Sequence, residues 1–383
     1  MKVLFVDQSG QCGGAELMLA DLLRGMRGEV EARVVLFDEG PFADVLRKNG
    51  FAVEVLPLRL RTTKAAGKLT RLLDLPLLGL LALKLACRAR TCDLIYANTP
   101  KAMVAGALAA RLSGKRLVFH LHDILDTTHF SPANVRLLVN LANKQAAAVI
   151  ANSRATERAF VKAGGQAGLT SVVYNGFDLA GRPAPDREAA RREWGWTDEQ
   201  PVAVIAGRIA EWKGQHVLIE ALRQAPGWRA CIVGDALFTE GDQDYKKRLE
   251  EMARDPALAG RVEFVGFVDD PARFYAAADA VVHCSTAPEP FGRVIVEGML
   301  AGRPVIATNH GGATEILQSG VTGWLVPPGD AGALAGTLEQ LRNDKEAAER
   351  IAMAGKEDAR RRFELGEIVG QVKEVLRGVT GGA

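Results

Sequence analysis

Apolar residues along this chain gather in short unbroken runs, and between the runs come longer stretches in which apolar positions recur at helical spacing. That alternation predicts parallel sheets joined by crossover helices. In the first half, strands are expected at Lys2–Val6, Ala32–Leu36, Val53–Pro57, Leu94–Ala97, Leu117–His120, Ala148–Ala151 and Ser171–Tyr174. The second half repeats the theme at Val202–Ala206, Ala230–Val233, Val262–Val265, Ala280–His283, Pro304–Ala307 and Gly323–Val326. Between the halves lies Gly181-Arg182-Pro183-Ala184-Pro185-Asp186, whose prolines and charges suit a linker. The pattern therefore predicts an α/β protein of two doubly wound domains, residues 1–180 and 181–362, with a cleft between them and ligand groups at the carboxyl ends of strands. A last helical stretch, Phe363 to Leu376, follows the second domain.

With 383 residues, 48% hydrophobic and 25% charged, the chain has ordinary globular composition and enough length for two cores. The net charge of +2 hides an asymmetry: residues 1–180 carry 23 Lys and Arg against 15 Asp and Glu, so the remainder carries 25 against 31. The first half is thus the one suited to an anionic surface. Five cysteines form neither a C-x-x-C pair nor a Cys/His cluster at metal spacing, which argues against a structural zinc or a disulfide framework and fits a cytoplasmic compartment. The opening apolar run is too short for a signal peptide.

Residues 59–90 change the picture locally. Arg59, Arg61, Lys64, Lys68 and Arg71 precede a leucine-rich stretch, 72–85, broken by Asp74, Pro76 and Lys84, and Arg88 and Arg90 follow it. The stretch falls short of the roughly 20 apolar residues that span a bilayer. Two readings stand: a basic element lying on an anionic membrane surface, or a buried crossover helix with a solvated basic flank.

The chemistry concentrates at strand ends. In Ala287-Pro288-Glu289-Pro290-Phe291-Gly292-Arg293-Val294-Ile295-Val296-Glu297, the prolines hold Glu289 on a loop, and a helix is expected from Phe291 onward. Free N–H groups at that helix start, with Gly292 giving backbone access, suit a phosphate. Glu297, more than a turn inside, could accept hydrogen bonds from a vicinal diol such as a ribose, or be a solvated surface carboxylate. The loop Gly207-Arg208-Ile209-Ala210-Glu211-Trp212-Lys213-Gly214 offers two cations to a diphosphate, Arg208 as a planar fork and Lys213 as a mobile point charge, unless both are merely solvated. Gly207 and Gly214 fit close approach of the backbone to a ligand. Gly13 and Gly14, after the first strand, form a glycine loop at a helix start, a generic anion seat that matches neither the dinucleotide nor the P-loop fingerprint. His120 and His122 project to one side of a strand end, and either can be a core hydrogen-bonding group or face the cleft. Asp242-Gln243-Asp244, a superficial D-x-D, is expected in a solvated polar loop.

In order and spacing, Gly13-Gly14-Ala15-Glu16, His122-Asp123, Asn152-Ser153, Asn175-Gly176, Gly207-Arg208 with Lys213-Gly214, Glu289-Pro-Phe-Gly with Glu297, and Gly311-Gly312 with Glu315 resemble the retaining glycosyltransferase family 4. The resemblance implies a GT-B fold of two Rossmann-like domains, acceptor-binding first and donor-binding second, with a final helix, 363–380, crossing back to the first. It further implies that Arg208 and Lys213 hold the donor diphosphate, Glu297 the ribose and Glu289 the sugar hydroxyls. Phe291, Gly292, Arg293 and Val294 would border the donor, the last three through backbone N–H groups, and His122 would stand near the anomeric centre. The implied activity is transfer, with retention, of a hexose from a nucleoside diphosphate sugar, most often a UDP-sugar, to a lipid-linked or oligosaccharide acceptor in envelope or exopolysaccharide assembly. Because Arg and Lys can stabilise the departing phosphate, neither metal nor cofactor is required, and no nucleic acid is expected as a partner. The alternatives are a nucleotide-sugar epimerase of the same fold and a non-catalytic nucleotide-sugar-binding subunit.

Overall fold

The computed structural model describes residues 1–58, 68–179, 185–236, 239–258 and 260–381. The chain divides into two compact units, Met1–Asp178 with Leu365–Ala383, and Leu179–Glu364. Residues 181–184 of the expected linker, and Arg59, Arg61 and Lys64 of the basic segment, lie outside the described residues, as do the side chains of Lys68 and Arg71.

The first unit is built on a parallel sheet of β1 Lys2–Asp7, β2 Glu31–Leu36, β3 Val53–Val55, β4 Leu94–Ala97, β5 Arg116–Leu121, β6 Ala146–Ala151 and β7 Thr170–Val172. Its strand order is β3-β2-β1-β4-β5-β6-β7, so the winding reverses between β1 and β4. Strand alternation sends successive side chains to opposite faces, and both faces are covered. Leu4 and Val6 of β1 join Ile95, Phe119, Leu81 and Leu85 in one core cluster. Val3 and Phe5 join Leu94, Tyr96 and the last helix, Leu365–Gly381, in the other. That helix contributes Leu365, Ile368, Val369, Val372, Leu376 and Val379. It comes so near the helix Gly14–Gly25 that a Cβ on Gly25 would lie 2.5 Å from Val369 Cγ2.

The second unit repeats the plan with β8 Val202–Ala206, β9 Arg229–Val233, β10 Val262–Gly266, β11 Ala280–His283, β12 Val305–Thr308 and β13 Trp324–Val326. The order β10-β9-β8-β11-β12-β13 reverses between β8 and β11. Its core gathers Leu218, Leu222, Trp228, Ile232, Val282, Ile306 and Leu338.

Two local expectations are corrected. Asp242-Gln243-Asp244 lies in the first turns of the helix Glu240–Ala253, not in a loop, because the Thr239 hydroxyl caps that helix by accepting from the Asp242 N–H. The leucine-rich stretch runs as one helix, Lys68–Ala89, with Pro76 inside it. The helix after Glu289 begins at Arg293, two residues later than expected, since Gly292 adopts a left-handed conformation (φ 99°) at its start.

Leu376 is buried among Tyr96, Ile368 and Val372 in the first unit. Leu376→Ala is expected to lower stability by about 2–5 kcal/mol, as leucine truncations in packed cores do, and denaturant unfolding measures it. A loss below about 0.5 kcal/mol would mean that the last helix contributes little to that core.

Candidate functional site

In an open parallel sheet the loops on either side of a winding reversal diverge and leave a crevice. In the second unit those loops follow β8 and β11. The β8 loop is pinned at Gly207, whose N–H donates to Val233 O at 2.9 Å, and at Ile209, whose N–H donates to Asp235 O at 3.0 Å. Trp212 sits beneath its two cations, with Lys213 Nζ 4.2 Å and Arg208 Cζ 5.9 Å from the ring centroid. Such contacts hold cationic groups without neutralising their charge.

Glu289 is the centre of this site. Its Oε2 accepts from Lys213 Nζ at 2.6 Å and from Ser285 Oγ at 3.0 Å, and lies 3.2 Å from His283 Nε2. His283 in turn has Ser285 Oγ 3.0 Å from Nε2 and Thr308 Oγ1 3.4 Å from Nδ1. Burial alone would push the Glu289 carboxyl up; the Lys213 charge and the contacts with His283 outweigh it and hold the group well below the usual carboxylate range. The Glu289 loop is held from behind by Gly311 and Gly312. Gly312 N–H donates to Glu289 O at 2.8 Å, and a Cβ on Gly311 (φ 61°) would fall 2.4 Å from that same oxygen. Ala206, Lys213, Gln215, His283, Ser285 and Val294 help line a small pocket in this region.

At the helix Arg293–Leu300, Glu297 is held in place: Tyr275 Oη donates to its Oε2 at 3.0 Å, and Arg293 Nε lies 3.4 Å from its Oε1. Burial, then the Glu297 charge, raises the Tyr275 hydroxyl well above its ordinary value, so it remains a donor. Gly214 also answers to an internal contact. A Cβ there would stand 2.0 Å from Cys284 O, and φ is 72°. The Phe291 side chain does not line the crevice: it is buried and meets Phe363 edge-on at 5.6 Å, which leaves only its backbone for a ligand.

In the first unit, Gly13, Gly14 and His122 follow β1 and β5. Gly13 N–H donates to Glu16 Oε2 at 3.1 Å, closing the start of the helix Gly14–Gly25 on itself. Asp7, at the end of β1, is fully buried and accepts from Asn98 Nδ2 at 2.7 Å and from Ser9 N–H at 2.9 Å. His122 Nε2 lies 3.0 Å from Asn98 Oδ1, and its ring is 3.9 Å from that of His120. Burial, opposed by the Asn98 hydrogen bond, lifts Asp7 to about 6, and burial with the Asp7 charge lifts Glu16 to about 8. His120 is pushed well below 6.5 by burial and by His122, so it is neutral at pH 7.

The sequence did not single out Asp7, Asn98, Tyr275, His283 or Ser285. The available signal was polar residues at the ends of otherwise apolar strands: His283 and Ser285 two apart, and Asn98 directly after Leu94–Ala97. Among the described residues no group of three or more His, Cys, Asp or Glu is placed to hold a metal, and no helix is long and apolar enough to cross a membrane.

Two parallel-sheet α/β domains with buried polar clusters at the reversals of strand order define the class, the GT-B glycosyltransferases. The sequence carries the same assignment: residues 13–176 match the glycosyl transferase 4-like domain and residues 186–358 match glycosyl transferases group 1. The chain belongs to that glycosyltransferase family. Over 98% of its length it is 44% identical to Anabaena Alr3699/HepE, crystallised with UDP and glucose, covering 99% of that chain with a TM-score of 0.88. It is 36% identical over 159 residues to the lipopolysaccharide core biosynthesis glycosyltransferase LpsE of Rhizobium meliloti, spanning 42% of this chain and 44% of that protein. To a GDP-mannose-dependent phosphatidylinositol monomannoside mannosyltransferase of Mycolicibacterium smegmatis it is 30% identical, over 68% of this chain and 69% of that one. The chain thus spans about half to two thirds of the length of these curated relatives.

The Glu16 carboxyl titrates near 8 in the native state against an ordinary 4.5, so between these values the native state keeps a proton that the unfolded chain has released. Stability must then fall as pH rises through that window. Denaturant unfolding from about pH 5 to about pH 8 is expected to show the decline, at up to about 1.4 kcal/mol per pH unit, and Glu16→Gln to flatten it. An unchanged slope in the variant would assign the effect to another group.

Proposed function

We propose that this protein is a retaining glycosyltransferase that moves a hexose from a UDP-sugar, with UDP-glucose the first candidate, to a lipid-linked or oligosaccharide acceptor in cell-envelope or exopolysaccharide assembly. The observation that carries the reading is Lys213 bound to Glu289 beside Arg208 at the strand reversal of the second unit. The choice of donor draws on the 43% identity to HepE crystallised with UDP-glucose, over 99% of this chain. GDP-mannose, named for the mycobacterial relatives, is the runner-up at lower identity.

In this reading Arg208 and Lys213 take the diphosphate, with the N–H groups at the Arg293–Leu300 helix start. The ammonium has three donors, so Lys213 can keep Glu289 and still reach a phosphate. Glu289 accepts from the sugar hydroxyls and Glu297 from the ribose diol. The bond from the anomeric carbon to the phosphate oxygen breaks as the acceptor oxygen bonds on the same face, and the acceptor's proton passes to the departing phosphate. Charge growing on that phosphate is stabilised by fixed cations, so the reaction as proposed uses no resident metal.

Calorimetric titration with UDP, GDP and ADP tests the donor: selective binding of UDP is expected, and no binding of any of the three would overturn the reading. Arg208→Ala and Lys213→Ala should each weaken UDP binding, and each should lower turnover by about 10²–10³, the effect of losing one donor to a developing oxyanion. An epimerase would instead release epimerised sugar without any acceptor.

The acceptor's lipid would be met at a cytoplasmic membrane face. Leu77, Leu80 and Leu83, which are 47%, 51% and 54% exposed, share the outer side of the helix Lys68–Ala89, with the basic segment before it in sequence. An apolar face preceded in sequence by cations suits the anionic interface. Co-sedimentation with vesicles containing about one third phosphatidylglycerol should fall for Leu77→Glu/Leu80→Glu/Leu83→Glu. Unchanged sedimentation would remove this face from the proposal.

A further inference from the structure

An asparagine amide can hydrogen-bond either way round, and its surroundings decide. At Asn98 they leave one choice. Its Nδ2 donates both to Asp7 Oδ2 at 2.7 Å and to the Ala15 carbonyl at 3.1 Å. The carbonyl oxygen has no proton to give, so a flipped amide would set two oxygens against each other there whatever the state of Asp7. Oδ1 is therefore turned to His122, 3.0 Å from Nε2, and an acceptor in that position requires the proton on Nε2.

We infer that Asn98, oriented by Asp7 and by the Ala15 carbonyl, is a positioning residue that fixes neutral His122 as its Nε2–H tautomer and makes Nδ1 the nitrogen that carries the lone pair. Nδ1 is buried in this structure, and a group that reaches it on neutral His122 must donate to it, as a hydroxyl can and an oxyanion cannot. The role in turnover rests on the glycosyltransferase reading; the tautomer itself does not. His120, whose ring lies 3.9 Å away at a tilt of 40° and which is neutral, adds no competing charge.

The tautomer can be read directly by ¹⁵N NMR of the full chain labelled at histidine, at pH 8, with the His122 signals assigned by their loss in His122→Gln. The expected spectrum has a protonated Nε2 and a non-protonated Nδ1. Asn98→Ala should release the constraint and raise the Nδ1–H population. A proton on Nδ1 in the unsubstituted protein overturns the inference, and so does a tautomer ratio unmoved by Asn98→Ala. Should that variant fail to fold, the spectrum of the unsubstituted protein still decides. In Asn98→Ala, UDP affinity should be unchanged while turnover falls at least about tenfold; an imidazole held in the wrong tautomer loses about 10⁴ in the serine proteases. A protein with the expected spectrum and no transferase activity would keep the tautomer and discard the proposed function.

Discussion

The second unit is organised around one buried carboxylate. Leaving the Glu289 charge unpaired at its depth would cost several kcal/mol, so its partners must be in place whenever the unit is folded. Those partners come from separate segments, Lys213 after β8 and His283 with Ser285 after β11. The requirement to satisfy one group thus fixes the distance between two loops that the strand reversal would otherwise leave apart. Gly311 and Gly312 close the arrangement from behind, where a side chain would not fit. The cations stand ready before any ligand arrives, and ligand binding has less ordering entropy to overcome.

The first unit meets the same problem at its own reversal with the opposite electrostatic result. Asp7 is fully buried where Glu289 is 12% exposed, but its close partners are an amide, a hydroxyl and backbone N–H groups. Without a cation in contact, burial wins and the acid is weakened; with Lys213 in contact, the acid is strengthened. Two acids beside the two strand reversals therefore differ in charge at mildly acidic pH because one of them has Lys213 and His283 against it.

Much of the fold was legible because strands covered on both faces are written as apolar runs. Leu94–Ala97, Val202–Ala206 and Ala280–His283 coincide with the elements observed, and the others differ by a few residues at their ends. The cations and carboxylates of the second unit were legible because they follow such runs in glycine- or proline-bearing loops. What escaped notice depends on contacts far along the chain: Asn98 gains its meaning from Asp7, Ala15 and His122, and Gly214 from Cys284. Phe291 lies within a recognisable motif, yet its side chain answers to Phe363. The Asp242 segment was misread as a loop because composition outweighed the cap supplied by Thr239.

The return of the helix Leu365–Gly381 to the first unit sets an order of events during synthesis. Residues 179–364 are contiguous, so their core can close as soon as they leave the ribosome. The first unit emerges earlier but is completed later, because the face formed by Val3, Phe5, Leu94 and Tyr96 lacks its covering helix until the last segment has been translated. The domain made first is the domain finished last, and through most of translation its uncovered apolar face is the part of the nascent chain that a chaperone would meet.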